Sequence, residues 1–214
     1  MDRVDRSQAL HRRALVLEWI TTIWNVVEAL VAIGAGLLAR SVALLAFGLD
    51  SLIEVLSAGA VLWRLLSVGP SAPAKHQEQA EAVALRVVGI TFFLLAGYIL
   101  VSATTSLIGR QAPEASMLGL GLSIASLVVM PGLAFAKQRT AHQMASKSLA
   151  ADAVETWVCA YLSASLLAGI GLNHFLGWWW ADPAAALVMV PFVLWQGRAA
   201  LREASEGHEE NEDG

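Results

Sequence analysis

Long apolar stretches alternate with short polar breaks along this chain, the layout of helices that cross a hydrocarbon core about 30 Å thick. Six stretches read as helices: Ala14–Leu38, Val42–Leu66, Ala82–Ile108, Ala115–Phe135, Leu149–Asn173 and Ala181–Ala200. Ala39-Arg40-Ser41 leaves room only for a tight hairpin, and Ser67–Glu81, with Gly69-Pro70 and Pro73, reads as a polar loop. Gly109–Glu114 is a short turn, Lys137–Lys147 a basic loop, and Gly177–Trp180 opens the last hairpin. Asp182-Pro183 reads as a helix N-cap followed by a proline in the first turn. Pro131 predicts a kink in the fourth helix, an arrangement membrane helices tolerate.

Composition agrees: 57% of the 214 residues are hydrophobic and only 15% charged, so the expected class is an all-α polytopic membrane protein. The apolar run after Met1–Arg13 is too long for a cleaved leader and has no small-residue cleavage site, so it reads as a resident helix. The expected organisation is an N-terminal cytoplasmic segment (1–13), a six-helix transport domain (14–200) and an acidic cytoplasmic tail (201–214). With both termini inside, Arg3, Arg6, Arg12, Arg13, Arg64, Lys75, Arg86, Lys137, Arg139, Lys147, Arg198 and Arg202 fall on the cytoplasmic side, and only Arg40 and Arg110 outside. That bias sets the orientation and puts Trp178, Trp179 and Trp180 as an aromatic belt at the outer interface; the expected location is a cytoplasmic (inner) cell membrane. The single cysteine excludes an internal disulfide. There is no basic patch for nucleic acid and no nucleophile–base constellation or His-Glu-x-x-His pattern for an enzyme.

The polar residues inside the apolar runs carry the chemistry. Asp50 and Glu54 lie four residues apart in the second run, Glu155 and Cys159 four apart in the fifth, so each pair shares one helix face. A charged side chain at the centre of a membrane helix costs about 2.5–3.5 kcal/mol on insertion scales. At about 1.5 Å of rise per residue, both pairs fall near the midplane, and Asn25 and Glu28 reach the same level from Arg13. Asp152 lies one turn nearer the cytoplasm on the Glu155 stripe. The layer is expected to hold no lysine or arginine, so its acids must be protonated, hydrated or neutralised by a cation. A dication displaces such protons, which couples metal binding to proton release. Carboxylates with one thiolate suit Zn²⁺, with Cd²⁺ or Co²⁺ as alternatives, and disfavour Mg²⁺ and Ca²⁺.

The segment Gly36–Glu54, GLLARSVALLAFGLDSLIE, resembles the first hairpin and second helix of the cation diffusion facilitator family. Ser148–Cys159, SLAADAVETWVC, resembles its fifth helix, and Ala181–Leu187, ADPAAAL, the start of its sixth. The resemblance covers nearly the whole chain and is closest to the branch that ends after helix six, without the cytoplasmic metal-sensing domain. It implies a transporter that carries zinc or a similar divalent cation out of the cytoplasm in exchange for protons. It also implies a tetrahedral site of Asp50, Glu54, Glu155 and Cys159, where the family's usual helix-five pair is His or Asp followed by Asp. Asn25, Glu28 and Asp152 are candidates to orient ligands or carry protons. No permanently bound cofactor is expected: Zn²⁺ is cargo, and the partners are the dication, protons, the lipid bilayer and, as a candidate assembly, a second copy.

Two alternatives stand beside that reading: the same site with Fe, Mn, Co, Ni or Cd as cargo, and a membrane interaction protein that binds metal without moving it. Each further residue has a plainer expectation. Glu18 should sit solvated near the inner interface, and His76 and His142 should be solvated loop residues with a lesser chance of capturing metal. Gly207-His208-Glu209-Glu210 reads as part of a solubilising tail. Ser51 and Ser57 should back-bond to their own helix. Ala32, Gly34, Ala35 and Gly36, with Ala58, Gly59 and Ala60, should allow helices one and two to approach closely.

Overall fold

The computed structural model is all-helical and describes residues 3–39, 42–110 and 117–209. Its helices are α1 (Arg3–Ala39), α2 (Val42–Ser67), α3 (Ala74–Gly109), α4 (Met117–Met144), α5 (Lys147–Leu176) and α6 (Ala181–Glu209). Among the described residues, five helices are long and apolar enough to cross a membrane by length and composition. Arg40, the hairpin residue Ser41, most of the 109–114 turn and the tail beyond 209 lie outside the described residues, as do the surroundings of Gly36, Gly207 and His208.

All six expected elements are present, but several run on past the apolar stretch. Pro73 precedes α3, whose first residues, Ala74–Glu81, belong to the helix and not to the expected polar loop. α4 continues to Met144 because Ala136–Met144 contains neither proline nor glycine, so Lys137 belongs to a helix and not to a basic loop. The turn that remains needs two residues: Ala145, at φ 52°, and Ser146, whose hydroxyl accepts from the Leu149 N–H at 3.3 Å and caps α5. Gly177, at φ 69°, ends α5 with its N–H on the Asn173 carbonyl. Asp182 is not the cap of α6: it lies inside the first turn and accepts from Ser165 of α5 at 3.3 Å. Pro131 sits within α4 and Pro191 within α6. Trp178 and Trp180 are exposed and stacked, with centroids 5.6 Å apart.

The helices pack in two groups. α1, α2, α5 and α4 close a ring through the contacts α1 with α2, α2 with α5, α5 with α4 and α4 with α1. α3 and α6 form a tight pair that leans on α2 and α5. The apolar core lies toward that pair, around Val61, Leu65, Val88, Phe92, Leu95, Ile99, Val158 and Val193. The ring is lined instead by Glu18, Asn25, Glu28, Asp50, Glu54, Lys137, Asp152 and Glu155, all buried. Outward positions such as Leu30, Val101, Val128 and Val188 are large, apolar and exposed, the polarity expected of a bundle solvated by lipid.

Close approach is set by other glycines than the expected ones. Gly34 and Gly59 have open space where a side chain would be, although Ala32 and Ala58 are buried. The α1–α2 contact passes Gly48, which faces Ile33 and the Ala29 carbonyl. Gly89 and Gly197 face each other at the α3–α6 crossing, each 3.2–3.3 Å from the other's carbonyl oxygen once a Cβ is added. Gly169 lies against Asp182. Gly197→Leu should therefore destabilise the protein by about 1–3 kcal/mol of overpacking, read as a lower thermal unfolding midpoint in detergent. Gly97→Leu, placed where nothing lies within 4 Å, should leave it unchanged; equal midpoints for the two variants would show that the crossing is not close-packed.

Candidate metal centre

Each ring helix contributes one polar stripe at helical spacing. α1 presents Glu18, Thr21, Asn25 and Glu28; α2 presents Asp50, Glu54 and Ser57; α4 presents Ser123, Ser126 and Lys137; α5 presents Ser148, Asp152, Glu155 and Cys159, and every one of them is buried. The stripes meet as three stacked levels.

At the level farthest from the start of α1, Glu28 accepts from Ser51 of α2 at 3.1 Å and from Ser126 of α4, joining three helices. Asp50 lies beside it, a neighbour of Glu28, Glu54 and Cys159. The Phe47 carbonyl, 3.2 Å from the same hydroxyl, is the alternative acceptor for its single hydrogen, as the position of Ser51 in a helix predicts.

The middle level holds Glu54, Cys159, Glu155 and Asn25. Glu54 is 2% exposed and neither of its carboxylate oxygens has a hydrogen-bond partner; its neighbours are Cys159, Thr156, Asp152 and Lys137. Glu155 turns one oxygen toward α3, accepting from Thr91 at 3.1 Å, and leaves Oε1 without a partner. It neighbours Glu54 and Asp152. Asn25 is fully buried with both amide atoms unpartnered. A buried polar atom without a partner loses its hydration without replacement, so this level is the least satisfied part of the interior.

The third level overturns the expectation that the layer lacks a cation. Lys137 is fully buried, pairs with Asp152, lies 3.4 Å from Glu18 and reaches Thr156 at 3.4 Å. It is not a surface charge of the kind that orients a membrane chain. Glu18, expected to be solvated, is fully buried in the same cluster. Ser57 does not bond to its own helix: it donates to Asp152 at 2.7 Å from across the ring. Asp152 therefore holds α2, α4 and α5 together from the second turn of α5. At the same end, Glu81 of α3 pairs with Arg64 of α2 at 2.6 Å and accepts from Ser146 Oγ and the Ser148 N–H at 2.9 and 2.7 Å. His76 and His142 are exposed.

The structure thus brings Asp50, Glu54 and Cys159 into one neighbourhood, with Glu155 beside Glu54 but turned to Thr91. Among the described residues, no three His, Cys, Asp or Glu side chains stand close enough together to hold a metal ion. Glu18 and Lys137 were legible in principle. Glu18 shares a face with Asn25 and Glu28, and Lys137 shares one with Ser126, Met130 and Ala134.

Residues 19–206 match the cation efflux transmembrane domain family. The chain belongs to the cation efflux, or cation diffusion facilitator, family. It is a multi-pass membrane protein. It is 29% identical over 174 residues to an uncharacterized transporter, sll1263, of Synechocystis, covering 80% of this chain and 56% of that one. It is 24% identical over 198 residues to Transmembrane protein 163 of Xenopus laevis, covering 92% of this chain and 69% of that protein. The match to Magnetosome protein MamM of Magnetospirillum gryphiswaldense is 27% over 192 residues, covering 88% of this chain and 59% of MamM. The chain thus spans between about half and two thirds of the length of these relatives.

An unpartnered buried carboxylate destabilises the fold that holds it. Glu54→Gln should leave the metal-free protein as stable as the wild type, or stabilise it by up to about 3 kcal/mol. Thermal unfolding in detergent with chelator checks this; a clear loss of stability would show that Glu54 is a structural partner.

Proposed function

We propose that this protein is a divalent cation transporter of the cytoplasmic membrane, with Zn²⁺ as preferred cargo, that exchanges metal for protons by alternating access. The observation that carries the reading is Glu54: fully buried, without a hydrogen-bond partner, and flanked by Asp50 and Cys159 on helices that face each other. A dication between α2 and α5 would satisfy those oxygens and the thiolate together. Membership of the cation efflux family supports the transport role. The positive-inside pattern supports termini in the cytoplasm, and the direction of export follows the family resemblance.

In this reading the cargo is held by Asp50, Glu54, Cys159 and Glu155. Glu155 joins by rotating away from Thr91, a change of side-chain torsions within one helix. Glu28 anchors α1 and α4 to α2 beside the site, and Asn25 offers its unpartnered amide to the ion or its water. Binding the dication expels the carboxyl and thiol protons; protons arriving from outside return to those groups and release it.

In proteoliposomes with an interior zinc indicator and an imposed pH gradient, Asp50→Ala should reduce flux at least tenfold relative to the wild type. Flux above half of wild type would remove the central assignment, and metal binding without flux in the wild type would favour a non-transporting metal-binding protein. Cys159→Asp should cost Zn²⁺ and Cd²⁺ transport far more than Mn²⁺ transport, because only the softer ions gain from a thiolate. Calorimetric zinc affinity should fall between pH 7.5 and pH 6, by about tenfold per pH unit for each proton displaced. An affinity independent of pH would exclude exchange.

A further inference from the structure

The Glu18–Lys137–Asp152 cluster is not used by the cargo site, and its place in the bundle gives it a separate task. Among the described residues, Lys137 is the one buried lysine or arginine. It reaches Asp152 of α5 and Glu18 of α1 from α4, while Ser57 of α2 closes the other side of Asp152 at 2.7 Å. All four ring helices are therefore tied at one level. Glu54, the unpartnered carboxylate, lies just above it, with Lys137 and Asp152 as neighbours. Below it, toward the start of α1 and α5, Ala14, Ala141, Ser148 and Leu149 are buried and seal the ring.

We propose that this ion cluster is the inner gate of the cation pathway and that Lys137 is the residue that closes it. The inference rests on the transport reading above. A dication travelling from the cytoplasm to Glu54 must pass Asp152 and Glu18, the acids the ammonium occupies. Two like charges at that spacing in a poorly screened interior repel strongly, so the ion enters only when Lys137 leaves. The tethered ammonium also keeps Asp152 and Glu18 from competing for cargo, which leaves Glu54 as the open acceptor. A lysine suits the task, since its point charge rides on a flexible four-carbon stem. A buried ion pair whose attraction is nearly cancelled by desolvation can also open at modest cost once water from the cytoplasm reaches both partners.

The single cysteine supplies the test. Cys159 is buried on α5, two turns beyond Asp152 from the cytoplasmic end. In membrane vesicles of defined orientation, a membrane-impermeant maleimide applied from the cytoplasmic side should react slowly with wild-type Cys159. It should react at least tenfold faster in Lys137→Gln and in Asp152→Asn, with no change from the outer side. Lys147→Gln, which removes an exposed ion pair with Glu203 at the same end, should keep the wild-type rate. Should the single variants fail to fold, the double variant Lys137→Met/Asp152→Asn buries no lone ammonium and should show the same one-sided acceleration. A wild-type rate in Lys137→Gln and the double variant, an equal rise from both faces in the double variant, or an equal rise in Lys147→Gln would each overturn the gate. Zinc flux run in parallel separates the two readings. One-sided labelling without flux in any variant or the wild type leaves the gate standing and removes the cargo assignment. Wild-type flux with unchanged labelling removes the gate alone.

Discussion

The structure is organised around acidic groups that have been taken out of water. Six carboxylates, those of Glu18, Glu28, Asp50, Glu54, Asp152 and Glu155, lie inside the α1–α2–α5–α4 ring with one ammonium among them. Insertion scales put each charged residue at a helix centre at about 2.5–3.5 kcal/mol, so an interior that only had to be stable would not contain them. The ring softens the cost with hydroxyls. Ser51 and Ser126 serve Glu28, Ser57 serves Asp152, and Thr91 serves Glu155. Glu54 receives nothing comparable. The uneven distribution of partners separates the acids that tie helices together from Glu54, which the proposal assigns to the cargo.

The two halves of the bundle divide the labour accordingly. The α3–α6 pair packs tightly through Gly89 and Gly197 and carries the apolar core, so it can act as a rigid support. The ring joins its helices through polar pairs, which have discrete alternatives: a hydroxyl can exchange a carboxylate for a carbonyl, and an ammonium can exchange one acid for another. Packed apolar surfaces resist graded deformation, while polar pairs switch between a few arrangements. If transport runs by the alternating access proposed above, its pathway is better built from the second kind of contact.

Much of this was legible before any coordinates. The two i, i+4 pairs, the stripe Asn25–Glu28 and the six spans follow from hydrophobic length and helical spacing, and the structure places them on facing helices. Polarity did not mean solvation at two positions. Lys137 and Glu18 lie where the apolar runs thin out, and a charge near a boundary is ordinarily hydrated. Neither helix, however, ends there: α4 continues through Met144, and α1 begins at Arg3. Both charges are therefore carried inside the ring and find each other. The pairing of Ser57 with Asp152 across the ring was invisible for a different reason. A serine can always satisfy itself on its own helix, and only the tertiary contact reveals that a better acceptor is near. The glycines make the same point, since composition marks small residues without saying which of them a neighbour approaches.

If Cys159 is a cargo ligand, as proposed above, it would tie the chemistry of the site to its selectivity. A thiol among carboxylates has no neighbouring cation to favour its deprotonation; Lys137 is engaged one level away with Asp152 and Glu18. In the proposed site a metal would have to replace the thiol proton, and that exchange is favourable only for ions that bind sulfur well. A hard dication would leave the thiol protonated and find fewer ligands, whereas zinc would gain the sulfur and expel one more proton. Selection of the ion and the proton count of the exchange would then be the same event, located on one side chain. The acids alone could not achieve this, because carboxylates accept hard and soft dications alike.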